Sequence, residues 1–446
     1  MQNNTKAYSI KHIWNVSYPI IIGLLAQNII NVTDTAFLGR VGEVELGASA
    51  IGGIFYICLF TIFFGFSSGA QIIIGRRNGE QNYNAIGPVM IQGFFFLMAL
   101  ATVLFILSRL YIGDVMRSMI SSEAVWEATV TFLYWRIIGF FFDVFNVMFR
   151  AFYIGITKTK ILTANAIVMA VTNVILGYAM IFGELGFPEM GIKGAAISSV
   201  IAEFASTLFF IIYTLTKVDY KKYGFKRLGS IDLNLLKQVL TISIYTMLQY
   251  FISMSTFFLF FIIIERQGEH SLAIANIVRS IYIVMFIPLN ALSATANTLV
   301  SNIIGEGKVN EVMPLIRRIS RLSFIIMLVY VLLLCLFPKL VLSIYTNDMS
   351  LINESVPSLY VISIALVISS VASVYANSIF GTGNTKSAFA LEMVVLALYA
   401  VSIYFIGIEL KQPVHICFCV EILYFTGIFI VSAIYLRFAN WQKKKI

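Results

Sequence analysis

The sequence predicts an all-α polytopic membrane protein, with twelve transmembrane helices in two pseudo-symmetric six-helix bundles. Three observations predict it: a charge-poor composition, long apolar runs along the whole chain, and an internal repeat. Of the 446 residues, 59% are hydrophobic and 12% charged, about half the charged share of a soluble domain. Runs of about 20 apolar residues can cross a bilayer, and here they recur from end to end, which excludes an enzyme held by a single anchor. The longest polar stretch, Lys217 to Lys237, leaves room for a linker and a short surface helix.

Spans are expected at 13–38, 47–74, 86–112, 128–154, 161–183, 191–215, 238–264, 272–301, 320–346, 354–380, 387–408 and 413–436. Residues 5–14 are expected to form a short interfacial helix leading into the first span, with no cleavable signal. This gives an N-lobe at 1–216 (helices 1–6), a cytoplasmic linker at 217–237 and a C-lobe at 238–446 (helices 7–12). The formal charge of +9 is concentrated in alternate loops, around Arg76/Arg77, Lys158/Lys160, Lys217 to Lys237, Lys308 to Arg321, Lys386 and the tail from Arg437. That is the positive-inside pattern. It places both termini in the cytoplasm and the chain in the cytoplasmic (inner) membrane, and it makes the charge a record of topology rather than of a nucleic-acid partner. Cys58, Cys335, Cys417 and Cys419 all lie in apolar runs and have no metal-ligand spacing.

The repeat appears when the chain is laid on itself with Gly42-Glu43 over Gly268-Glu269 and that register is kept. Ser67 then falls on Ser293, Gly79-Glu80 on Gly305-Glu306, Leu133-Tyr134 on Leu359-Tyr360, Gly155 on Gly381 and Thr159-Lys160 on Thr385-Lys386. Each half holds six spans, so both run the same way across the membrane and are related by an axis along its normal. Two such bundles are the anatomy of an alternating-access carrier. No paired acid and base or metal set lies near an interface, so neither enzymatic activity nor a cofactor is expected.

Ionisable residues inside spans mark the candidate site, because each costs several kcal/mol unless protonated, paired or hydrated. Asp34 follows Pro19 within the first span, and its repeat mate is Phe260. Pro19 removes a backbone donor and can kink the helix, making it the candidate hinge. Ser199 and Glu203 are one helical turn apart on one face of span six. Asp143, Asn146 and Arg150 form a stripe on span four, with Arg136 a heptad earlier. The stripe reads either as a polar seam lining a cavity or as a self-neutralising pair with the arginines snorkelling outward. Glu392 and Glu421, in the last two spans, read as structural or interfacial.

Over essentially its whole length the chain resembles the multidrug and toxic compound extrusion (MATE) transporters, and within them the DinF-like branch. The carrying segments are SYPIIIGLLAQNIINVTDTAFLGRVGEVELGASAI (17–51), GAQIIIGRRNGEQN (69–82), RAFYIGITKTK (150–160), NVILG (173–177), MGIKGAAISSVIAE (190–203), SNIIGEGK (301–308) and NSIFGTGNTK (377–386). The resemblance implies a MATE/MOP-type fold and an antiporter that exports amphipathic, often cationic organic compounds, driven by protons or sodium. It implies that Asp34 is the acid of an N-lobe cation site, with Asn173 from an N-x-x-x-D pattern whose acid is here Gly177. That departure favours a proton over a sodium ion at Asp34, with Ser199 and Glu203 as supporting groups. Asn146, Asp143, Gln27 and Asn31 are the candidate substrate-cavity residues. The expected partners are small organic molecules and the bilayer, with the protein a monomer. The alternatives are a lipid-linked saccharide flippase of the same superfamily, or a non-transporting sensor or scaffold.

Overall fold

Among the described residues, the computed structural model holds twelve helices of membrane length: α1 (Ile10–Val41), α2 (Glu43–Gly79), α3 (Tyr83–Arg117), α4 (Glu123–Gly155), α5 (Lys160–Phe182), α6 (Gly191–Lys217), α7 (Leu233–Glu265), α8 (His270–Gly305), α9 (Val309–Leu336), α10 (Met349–Gly381), α11 (Thr385–Glu409) and α12 (Val414–Phe438). The structure describes residues 9–225 and 232–443. Parts of the expected interfacial helix (5–8), linker (226–231) and tail (444–446) therefore lie outside the described residues.

Most spans match the expected ones to within a few residues at each end. Two expectations are corrected. The described part of the interfacial segment is no separate helix, because α1 runs unbroken from Ile10 through Pro19 to Val41. The ninth span is Val309–Leu336 rather than 320–346. Its apolar run continues in sequence, but Pro338 stops the helix just before it and opens a separate short helix, Pro338–Leu342. At the other end, the basic cluster read as loop is already helical. Val312, Leu315, Ile316 and Ile319 are buried on one face while Arg317 and Arg321 stay exposed on the other, the pattern of an amphipathic helix entry.

The chain divides into two compact units, one Ile22–Met247, the other Met1–Ile21 with Leu248–Ile446. These differ from the lobes read from the sequence. The start of α1 belongs with the second half of the chain and the start of α7 with the first. Both changeovers fall inside a continuous helix, and they lie one repeat length apart.

Each exchanged helix start is held by its own chemistry. In the unit that contains residues 1–21, the Ser17 hydroxyl donates to Thr295 Oγ1 at 3.0 Å, with both residues buried. In the other unit, the repeat mate of Ser17 is Ser243, which donates to the Phe66 carbonyl at 3.2 Å, while Thr246 donates to the Gly65 carbonyl at 2.7 Å. The mate of Thr295 is Gly69, whose missing side chain lets the Ser243 backbone approach. Thr295→Ala therefore removes two buried hydrogen bonds, the one accepted from Ser17 and the one donated to the Ala291 carbonyl at 2.8 Å, and a loss of about 1–2 kcal/mol is expected. A thermal melt of the detergent-solubilised protein measures it.

Residues 218–225 of the linker run in bends and turns, and α7 has already begun at Leu233. Tyr223 is buried against Phe152, and its carbonyl accepts from the Gly87 amide at 2.7 Å, which seats the linker on the start of α3.

Candidate functional site

Within the Ile22–Met247 unit, a cavity of about 310 Å³ is lined by α1, α2, α4, α5 and α6. From α1 come Gln27, Asn31 and Asp34, at successive helical turns and hence on one face. From α6 come Ser199 and Glu203, from α5 Asn173, and from α4 Arg136. Among the described residues, the charged groups that line it are Asp34, Arg136 and Glu203.

Two polar clusters meet at this cavity. In the first, the Asn173 amide nitrogen donates to Ser199 Oγ at 3.2 Å and the Ser199 hydroxyl donates to Asp34 Oδ2 at 3.3 Å. The second carboxylate oxygen of Asp34 and the amide oxygen of Asn173 are both buried without a hydrogen-bond partner. In the second cluster, Arg136 grips Glu203 with two parallel bonds, Nη2 to Oε1 at 2.5 Å and Nη1 to Oε2 at 2.9 Å. The guanidinium lies 3.8 Å over the Tyr56 ring, and the Tyr56 hydroxyl donates to Asp143 Oδ2 at 2.5 Å. This is the bidentate fork that arginine makes with a carboxylate, backed by a cation–π contact.

The structure thus brings Asp34, Asn173, Ser199 and Glu203 to one cavity, with Gln27 and Asn31. It does not bring Asp143 or Asn146, read from the sequence as substrate-cavity residues, to the lining of this cavity. Asn146 is turned into the bundle, where its amide donates to the Glu203 carbonyl at 3.1 Å and its oxygen accepts from Ser206 and Thr207. Asp143 is sealed behind Tyr56. The cause is a 3₁₀ turn at Ile137–Gly139 inside α4, whose tighter period rotates the second half of the helix relative to Arg136. Arg136 also does not snorkel to an interface, because it is paired with Glu203. Arg150 stacks on the Phe64 ring at 4.9 Å.

Sequence reasoning missed the Arg136–Glu203 pair and the place of Tyr56. The signal was an intramembrane base and an intramembrane acid on different spans, each too costly to leave alone. Gly177, where the resemblance places a second acid, has room. A Cβ there would meet Ser198 and Phe37 at 3.6 and 3.7 Å, ordinary contact distances.

In the second half, the repeat mates of Asp34, Arg136 and Asn173 are Phe260, Ile362 and Tyr399, and all three belong to one buried apolar cluster. The buried acids there lie elsewhere in the repeat. Glu392 accepts from Ser253 at 2.8 Å and Tyr424 at 3.2 Å, and Glu421 accepts from Tyr399 at 2.9 Å.

Twelve membrane-length helices among the described residues, built as a tandem repeat with a polar cavity in the first repeat, define a polytopic membrane protein. The chain belongs to the MatE family, the MATE transporters, whose model matches twice in tandem, at residues 19–179 and 246–406. Among its relatives, the probable multidrug resistance protein NorM of Thermotoga maritima is 24% identical over 411 residues, 90% of this chain and 86% of that one. The probable NorM of Idiomarina loihiensis is 25% identical over 206 residues, which spans 46% of this chain and only 44% of that protein. Similar solved structures include the eukaryotic MATE transporter AtDTX14 (TM-score 0.86, 15% identity, covering 97% of this chain and 96% of that chain). A MOP superfamily transporter from Pyrococcus furiosus matches with the same TM-score and coverage at 18% identity.

Proposed function

We propose that this protein is a proton-coupled antiporter that exports amphipathic, cationic organic compounds across the cytoplasmic membrane. The carrying observation is a pair of buried acceptors without a donor, Asp34 Oδ1 and Asn173 Oδ1, on two residues that line one cavity. One proton on Asp34 supplies a donor and cancels the carboxylate charge. An organic cation in the cavity supplies the same positive charge from the other side, so proton and cargo compete for Asp34. The multidrug-resistance names of the relatives support the substrate class, and the positive-inside pattern supports cytoplasmic termini.

Coupling to movement runs through α1. Asp34 lies in the Ile22–Met247 unit, while Pro19, which has no N–H to give the helix ladder, lies at the edge of the other. In this reading α1 flexes near Pro19 when Asp34 changes protonation, and the cavity closes on the proton-loaded state. The acid in the first repeat and the apolar mates in the second favour the DinF-like branch. A flippase for an anionic lipid-linked sugar would need free cationic groups in the cavity, and the arginine that lines it is paired. In proteoliposomes, imposed proton gradients are expected to drive ethidium uptake or release according to their direction. Sodium dependence at fixed pH, with no response to ΔpH, would sink the proton version.

A further inference from the structure

Why does a cavity with two carboxylates need a guanidinium as well? Asp34 and Glu203 both line it, with the Ser199 hydroxyl and the Asn173 amide oxygen beside them. Two carboxylates and two neutral oxygens lining one cavity are the hard-donor set that favours a sodium or divalent ion. Arg136 removes one of those carboxylates from use. It engages both oxygens of Glu203, is braced by the Tyr56 ring, and brings its own full charge, which does not dissociate in proteins.

We propose that Arg136 is the resident cation of this cavity: by occupying Glu203 it leaves Asp34 as the one carboxylate open to a mobile cation, and so makes the site take a proton and refuse sodium. This rests on the antiporter reading for the role of Asp34, but the ion preference is a property of the cavity itself. With Glu203 and Arg136 cancelling, the lining carries a single negative charge when Asp34 is ionised and none when it is protonated. The other ionisable groups nearby are Tyr56 and Asp143, and they satisfy each other beside the arginine. A bare sodium ion entering this lining would meet one carboxylate and a fixed guanidinium beside it, too little to replace its water. An organic monocation keeps its charge spread over apolar surface and needs no such replacement.

The test measures ion binding without transport. Purified full-length protein in detergent is heated at fixed pH while sodium chloride replaces choline chloride at constant ionic strength. The melting temperature of the wild type is expected not to respond to sodium. Arg136→Gln, which frees Glu203, is expected to gain a sodium-dependent rise of about 3 °C. The double variant R136Q/E203Q, which keeps the shape without the second charge, is expected to lose that rise again. A sodium response in the wild type, or none in R136Q, overturns the inference. If R136Q does not fold, Glu203→Gln carries the test. The freed arginine then turns to Asp34, so Asp34→Asn is expected to change the pH dependence of the melting temperature in the wild type but not in E203Q; a D34N change equally large in E203Q overturns the inference. Sodium behaviour as expected in a protein that exports no ethidium would sink the antiporter reading and leave the role of Arg136 standing.

Discussion

Asp34→Asn is expected to reduce proton-driven ethidium export about a hundredfold, the upper end of what one coupled site contributes. Asparagine keeps the size of the side chain and an acceptor for the Ser199 hydroxyl, so the fold and the cavity are expected to survive. What disappears is the ability to alternate between a charged and a neutral state. The variant is held in the equivalent of the protonated form, neither attracting the organic cation nor responding to the gradient. Transport in proteoliposomes with an imposed ΔpH measures it, with a thermal melt as the control for folding. An Asp34→Asn protein that exports at the wild-type rate would remove the basis for coupling through α1.

The second large effect concerns the fold. Gly69→Val is expected to destabilise the protein by about 3 kcal/mol or more, at the upper end for overpacking a tight interior. A Cβ at Gly69 would lie 2.6 Å from the Cα of Ser243, and this neighbour is backbone of α7 that cannot swing aside. The substitution also crowds Ser243, whose hydroxyl bonds to the Phe66 carbonyl. Thr295, the repeat mate of Gly69, fills the corresponding place in the other unit with a hydroxyl for Ser17. The same junction is therefore closed by a side-chain hydrogen bond to Thr295 in one unit, and in the other by a close backbone approach at Gly69 beside the bonds of Ser243 and Thr246 to α2 carbonyls. That is why Thr295→Ala is expected to be mild and Gly69→Val severe. The yield of monodisperse protein on size-exclusion chromatography, together with its melting temperature, separates the two.

Much of the candidate site was legible in the sequence. Asp34 stands out because a carboxylate in an apolar run is costly wherever the helix packs. Ser199 and Glu203 share a face by helical period alone. Asn173 came from a motif, and it does reach Ser199. The reading failed where a contact depends on two helices distant in the chain. Arg136 and Glu203 are 67 residues apart, and nothing local to either says that they meet. Asp143, Asn146 and Arg150 keep their common stripe within Phe140–Gly155, but the turn at Ile137–Gly139 changes where that stripe lies relative to Arg136.

The class of protein, the number of spans, the tandem repeat and the half in which the cavity acid lies all follow from the linear chain. These properties are written as hydrophobic length, period and residue type, and each is local or recurs at one constant shift. Where the two units divide follows from packing alone, because α1 and α7 are each continuous in sequence yet shared between bodies. Packing also assigned Glu203 to Arg136 rather than leaving it open to a mobile ion. A buried charge takes whichever partner the fold places within reach, and that reach is set by how helices cross, not by their order along the chain.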